Sequence, residues 1–85
     1  MKKIVKILKA LANEKRLEIL NLLSRNPGLS LAEISQEIDL HFKSTSKHLQ
    51  RLTEARLLQR KKSGLFVRFG PTRKINELLK KVRSL

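Results

Sequence analysis

Between Ser30 and Phe69 the chain reads SLAEISQEIDLHFKSTSKHLQRLTEARLLQRKKSGLFVRF, and the order of signals in this stretch decides the fold. Ser30-Leu31-Ala32-Glu33 has the spacing at which a serine hydroxyl and a glutamate carboxylate reciprocally satisfy the free amides of a helix start. It predicts a short helix over 31–38. Asp39-Leu40-His41 leaves room only for a tight corner, whose geometry Asp accepts. A longer helix follows over 42–55. Its inward line is Thr45, Leu49 and Leu52; at 100° per residue Lys43, Lys47 and Gln50 fall within about 40° of the opposite side. One face packs and the other is cationic. Two strand-like runs, over 57–62 and 65–70, then flank Ser63-Gly64 and read as a hairpin.

Working outward, Ile4, Leu8, Leu11 and Ala12 recur at helical spacing with lysines opposite, which predicts a helix over 3–12. Asn13 is an N-cap candidate for a helix over 14–25, whose broad apolar face comprises Leu17, Ile19, Leu20, Leu22 and Leu23. Asn26-Pro27-Gly28 stops it, because proline cannot continue the hydrogen-bond ladder. Beyond the hairpin, Pro71-Thr72 ends the strand and Thr72 can cap a last helix over 73–84. That helix carries the stripe Ile75, Leu78, Leu79 and Val82, with Lys74, Lys80, Lys81 and Arg83 away from it. The expected class is mainly α with one small β-hairpin, a single domain over 1–85. A short helix, a corner, a basic-faced helix and a basic hairpin in this order make a winged helix-turn-helix.

Charge indicates what such a domain meets. The 85 residues hold 20 Lys+Arg against 7 Asp+Glu, a net +13. The excess is uneven: residues 1–40 have 7 basic and 5 acidic side chains, residues 41–85 have 13 and 2. A strongly cationic half seeks a polyanion, nucleic acid before an anionic membrane. A major groove about 12 Å wide admits one helix whose outer residues reach base edges. The candidate DNA-contacting residues are Phe42, Lys43, Ser44, Ser46, Lys47, Gln50 and Arg51 on the helix and Arg60, Lys61, Lys62 and Arg68 on the hairpin. Phe42 either meets a thymine methyl or packs on its neighbour. His41 belongs at the start of the helix, and His48 reads as a boundary residue donating one hydrogen bond.

The same residues resemble the ArsR/SmtB-type winged-helix repressors over roughly 8–70. The likeness is carried by Leu11-Ala12-Asn13-Glu14-Lys15-Arg16-Leu17-Glu18-Ile19-Leu20, by Ser46-Lys47-His48-Leu49 with Leu52-Thr53-Glu54-Ala55-Arg56-Leu57, and by Ser63-Gly64-Leu65-Phe66-Val67-Arg68-Phe69. The resemblance implies a homodimer that binds an operator and represses transcription, with Phe42, Lys43, Ser46 and Lys47 at the base-reading positions. It also implies dimerisation through the first and last helices. Independently, a domain this short buries only about 60–65% of its unfolded surface, so its core is thin. Ile4, Leu8, Ile75, Leu78, Leu79 and Val82 are the expected dimer residues.

The chain departs from that family in three ways. Leu31-Ala32-Glu33-Ile34-Ser35 lacks the metal-sensing cysteines of the resembled repressors. The last helix has no His or Asp, and Glu77 alone makes no metal site. Arg56 stands where glycine is usual, at a cost of about 1 kcal/mol if its φ is positive. No metal or cofactor is expected. Zero cysteines exclude disulfides and thiol catalysis, and seven acids, two isolated histidines and no glycine-rich phosphate loop argue against an enzyme. No window approaches the 18 apolar residues of a membrane span, and Lys6 and Lys9 interrupt any signal-like run, so a cytoplasmic protein is expected. The expected function is a sequence-specific double-stranded DNA-binding regulator. Its competitors are a non-specific DNA- or RNA-binding chromatin-like protein and a membrane-surface role for the first helix.

Overall fold

The structure, a computed structural model, describes residues 1–84. Its order is α1 (Lys2–Leu11), α2 (Glu14–Arg25), α3 (Leu31–Glu37), α4 (Phe42–Glu54), β1 (Leu58–Ser63), β2 (Phe66–Pro71) and α5 (Arg73–Arg83). Every expected element is present, its ends within one residue of those predicted.

Local chemistry explains the boundaries. The Asn13 side chain accepts the Arg16 amide at 3.1 Å and starts α2. Ser30 and Glu33 complete their reciprocal box, the Ser30 amide donating to Oε1 of Glu33 at 2.9 Å. Hydrogen bonds from Ser30 hold the Glu33 carboxylate below its ordinary range. Asp39 leaves α3 at φ +51, with its amide on the Gln36 carbonyl and the Leu40 amide on that of Ser35. Arg56 leaves α4 at φ +59 with the matching pair, Arg56 to Thr53 and Leu57 to Leu52. Both ends are Schellman closures, built without the usual glycine.

The core gathers around α2. Ile19, Leu20 and Leu23 meet Ile34 and Ile38, Leu49 and Leu52, then Ala55, Leu57, Leu58 and Ile75. Thr45, the one buried polar residue among those described, donates its hydroxyl to the His41 carbonyl at 3.0 Å, which makes its burial tolerable. The antiparallel wing is tied to the body through its return strand: the Gly28 amide donates to the Phe69 carbonyl at 2.8 Å, and the Phe69 amide to that of Leu29 at 2.9 Å.

Four sequence expectations need correction. The hairpin turn is Gly64-Leu65 rather than Ser63-Gly64, because Ser63 pairs with Phe66. Gly64, at φ +62, takes the first central position, where a primed turn needs positive φ. Thr72 precedes α5 without capping it by its side chain; its hydroxyl donates to the Leu57 carbonyl and closes the base of the wing. On α1 the inward side is Ala10, flanked by Ile7 and Leu11, because the small Ala10 lets the helix approach α2; Ala12 is exposed. Leu17, assigned to the apolar face of α2, is also exposed.

Candidate nucleic-acid interface

The corner before α4 aims its first turn outward. His41 is the N-cap, its Nδ1 accepting the Lys43 amide at 3.2 Å. From there Thr45, Leu49 and Leu52 bury one side of the helix, and Lys43, Ser46, Lys47, Gln50 and Arg51 are exposed on the rest. Ser44 is half-buried at the flank, and Phe42 is exposed at the helix start rather than packed away. Arg51 lies 3.8 Å from the carboxylate of Glu54, a loose surface pair that leaves its other donors free.

Two grooves run beside this exposed ridge. On the Ser46 and Thr53 side, α4 faces the wing across a groove of about 530 Å³ floored by Leu31, Val67 and Phe69 and edged by Gln50 and Arg60. On the Arg51 side, it faces α1 and α2 across a second groove of about 420 Å³. His48 bridges this second side. Its Nδ1 accepts from Arg16 Nε at 3.2 Å, so it is an acceptor here and not the donor expected from sequence. Partial burial, and then the charge of Arg16, hold the His48 imidazole below its ordinary value.

The wing presents Arg60, Lys61, Lys62 and Arg68 at its surface. Three of these have no protein partner among the described residues. Arg68 differs: its guanidinium donates to the Gly28 carbonyl at 2.9 Å, pinning β2 to the loop after α2. It serves first as a strut. The hairpin apex is apolar, Leu65 being 99% exposed and Phe66 60%. Neither residue stood out as a contact candidate in the sequence, since both read as strand.

The terminal helices leave an apolar surface uncovered. Ile4 (54% exposed) and Leu8 (59%) point outward from α1, with Leu78 and Val82 exposed on α5. Leu79 is half-buried against its own core. Ile75 corrects the expected stripe: it is 2% exposed within the protomer. It faces inward because α5 is fastened to α2 on that side, Ser24 Oγ donating to Asn76 Oδ1 at 2.5 Å and Arg83 Nε to Asn21 Oδ1 at 3.0 Å. Ile75 is therefore not available to a second copy.

Among the described residues, no helix is long and apolar enough to cross a membrane. Residues 12–59, from the start of α2 through α4 and into the wing, match the family described as winged helix-turn-helix DNA-binding. Solved structures superpose over nearly the whole chain. One is the homodimeric winged helix-turn-helix domain Mb0332 of Mycobacterium bovis, a possible ArsR-family transcriptional regulator (24% identity, 98% of this chain and 77% of that one, TM-score 0.89). Another is the transcriptional regulator HlyU of Vibrio vulnificus (31% identity, 98% and 86%, TM-score 0.81). A third is the transcriptional repressor PagR of Bacillus anthracis (26% identity, 95% and 93%, TM-score 0.84). No curated protein matches the chain.

Proposed function

Because this chain belongs to the winged helix-turn-helix DNA-binding family and has an ArsR/SmtB-like build, we propose that it is a sequence-specific transcriptional regulator that binds duplex DNA as a homodimer. One observation carries the reading. The face of α4 opposite Thr45, Leu49 and Leu52 is exposed and cationic, and only a helix held in this way can enter a major groove without losing its core. Lys43, Lys47 and Gln50 meet base edges, Phe42 and Ser46 the adjoining edge or sugar, and Ser44 and Arg51 the flanking backbone. Arg60, Lys61 and Lys62 hold flanking phosphates or the minor groove, with Arg68 setting the angle of the hairpin.

The homodimer is supported by the uncovered apolar residues of the terminal helices, Ile4, Leu8, Leu78 and Val82, with Leu79 at their edge. The M. bovis relative is homodimeric, and PagR is named a repressor. Repression follows from occupancy of an operator, needs no cofactor or metal, and places the protein in the cytoplasm with the chromosome.

Selection of bound sites from a random duplex pool tests the reading. An inverted repeat with half-sites about one helical turn apart, roughly 34 Å, is expected of a two-fold dimer. An unenriched pool, together with equal competition by random DNA at physiological salt, assigns the protein to the non-specific class instead. The dominance of lysine over arginine and asparagine on α4 is the observation that favours that second reading.

A further inference from the structure

Apart from Arg51 at its α4 edge, the groove on that side of α4 is not used by the function just described. It is lined by Lys2, Lys6 and Lys9 of α1, Arg16 of α2, and Arg51 and Glu54 of α4, over an apolar floor of Val5 and Ala10. Five cations face one carboxylate, and that carboxylate already lies beside Arg51. The three lysines recur at i, i+4, i+7. On a helical wheel they fall within about 60° of one another, and their mean direction is about 150° from that of Ile4 and Leu8. α1 thus has a cationic flank distinct from its apolar outer edge. Arg16 is fixed in place by its bonds to His48 Nδ1 and to the Lys9 carbonyl, so the guanidinium at the back of the groove is preorganised.

A helix lying in a major groove has a phosphate backbone on each side of it. The wing stands on one side of α4, beside Ser46 and Thr53, and the cationic flank of α1 stands on the other, beside Arg51. We propose that this α1–α2–α4 groove is a second backbone clamp, in which Lys2, Lys6 and Lys9 take the DNA phosphates of the wall opposite the wing. The inference rests on the duplex-binding reading above. Charge complementarity selects the occupant: the groove meets α4 at Arg51 and Glu54 in its last turn, so the polyanion nearest to its lysines is the duplex that α4 enters.

The test compares the salt dependence of binding to a fluorescein-labelled selected duplex, by anisotropy, for the wild-type chain and two variants of equal charge loss. Removing Lys2, Lys6 and Lys9 together (each →Ala) is expected to flatten the slope of log K against log[salt] by up to about 5 units in a dimer, at about 0.9 for each phosphate no longer neutralised. Removing Lys74, Lys80 and Lys81 of α5 in the same way is expected to change it far less. Equal flattening by the two triples, or none by the first, overturns the clamp. Should the triple unfold, Lys6→Gln removes the charge with little change in helix propensity, and a flattening of about 2 units is expected. A shallow wild-type slope sinks the duplex-binding reading itself, whereas a steep wild-type slope untouched by the α1 changes sinks only the clamp. Thermal-shift titration with inorganic pyrophosphate covers the remaining occupant: tight binding that the triple abolishes while the duplex slope stays unchanged assigns the groove to a free anion and overturns the proposal.

Discussion

Arg56 holds a left-handed conformation, φ +59, immediately after α4. An L-residue with a Cβ is strained there by about 1 kcal/mol, and the Schellman bonds on either side keep it in place. Arg56→Gly removes the strain but also frees the unfolded chain, so a net gain in stability below about 1 kcal/mol is expected in urea denaturation. Loss of stability would mean that the arginine stem packs more than its exposure indicates. His48 makes a pH-dependent contribution. Its folded pKa is depressed, by burial first and by Arg16 second. The unfolded imidazole takes its proton near pH 6.5, before the folded one does. Stability is therefore complete above that pH and is lost as pH falls below it toward the folded pKa. His48→Gln retains an acceptor for Arg16 and cannot titrate, so denaturation midpoints at pH 7.5 and 5.5 should separate less for the variant than for the wild-type protein. Identical separations would show that His48 does not couple to folding.

At the scale of the element, the proposed interface assigns different uses to similar lysines on α4 and on the wing. Lys47 projects from the helix face opposite the core, so Lys47→Ala is expected to cost about 1–3 kcal/mol on the selected site and less on random duplex. Lys62, on the hairpin, is expected to weaken both equally when changed to Ala and to flatten the salt slope by about one unit per subunit. Equal losses on both duplexes for Lys47→Ala would reduce that residue to a phosphate contact. Why the elements themselves were legible is plain from particular residues. Ser30 and Glu33, Asn13, and the Thr45, Leu49 and Leu52 line are local signals, and each does in three dimensions what its spacing implies. What was not legible depends on neighbours remote in sequence. The strut from Arg68 to Gly28 spans 40 positions and the Arg16–His48 bond 32, and no local pattern announces either. Ile75 looked like part of an outer stripe because period alone cannot tell which side of α5 meets α2. The α1 lysines did leave a signal, their i, i+4, i+7 recurrence, but it reads equally as a solvated face until α4 is seen beside it.

For the molecule as a whole, one number governs two opposed behaviours. Each subunit carries +13, so a dimer joined through the terminal helices brings together two like charges of that size. Added salt screens that repulsion while strengthening apolar association, so the dimer should tighten as salt rises from roughly 50 to 500 mM in sedimentation equilibrium. Duplex binding must move the other way. With about four phosphates per subunit neutralised by α4 and the wing, the slope of log K against log[salt] is expected near −7, and the three α1 lysines steepen it to about −12. A slope shallower than about −2 is incompatible with this mode of binding. Dimer affinity that falls with salt would point to an interface held by charge pairs rather than by Ile4, Leu8, Leu78 and Val82.

The paired amide bonds joining Phe69 to Gly28 and Leu29 bear on how the hairpin fails. Lys61 and Lys62 offer trypsin two exposed cleavage points close to the Gly64-Leu65 apex. Scission there leaves the return strand stitched to the loop after α2, and the outgoing strand secured by buried Leu58 and by the Thr72 amide on the Leu57 carbonyl. The two fragments are expected to remain one folded body with a split finger, co-eluting in gel filtration, which would separate the contribution of the hairpin from the integrity of the core without altering a single side chain.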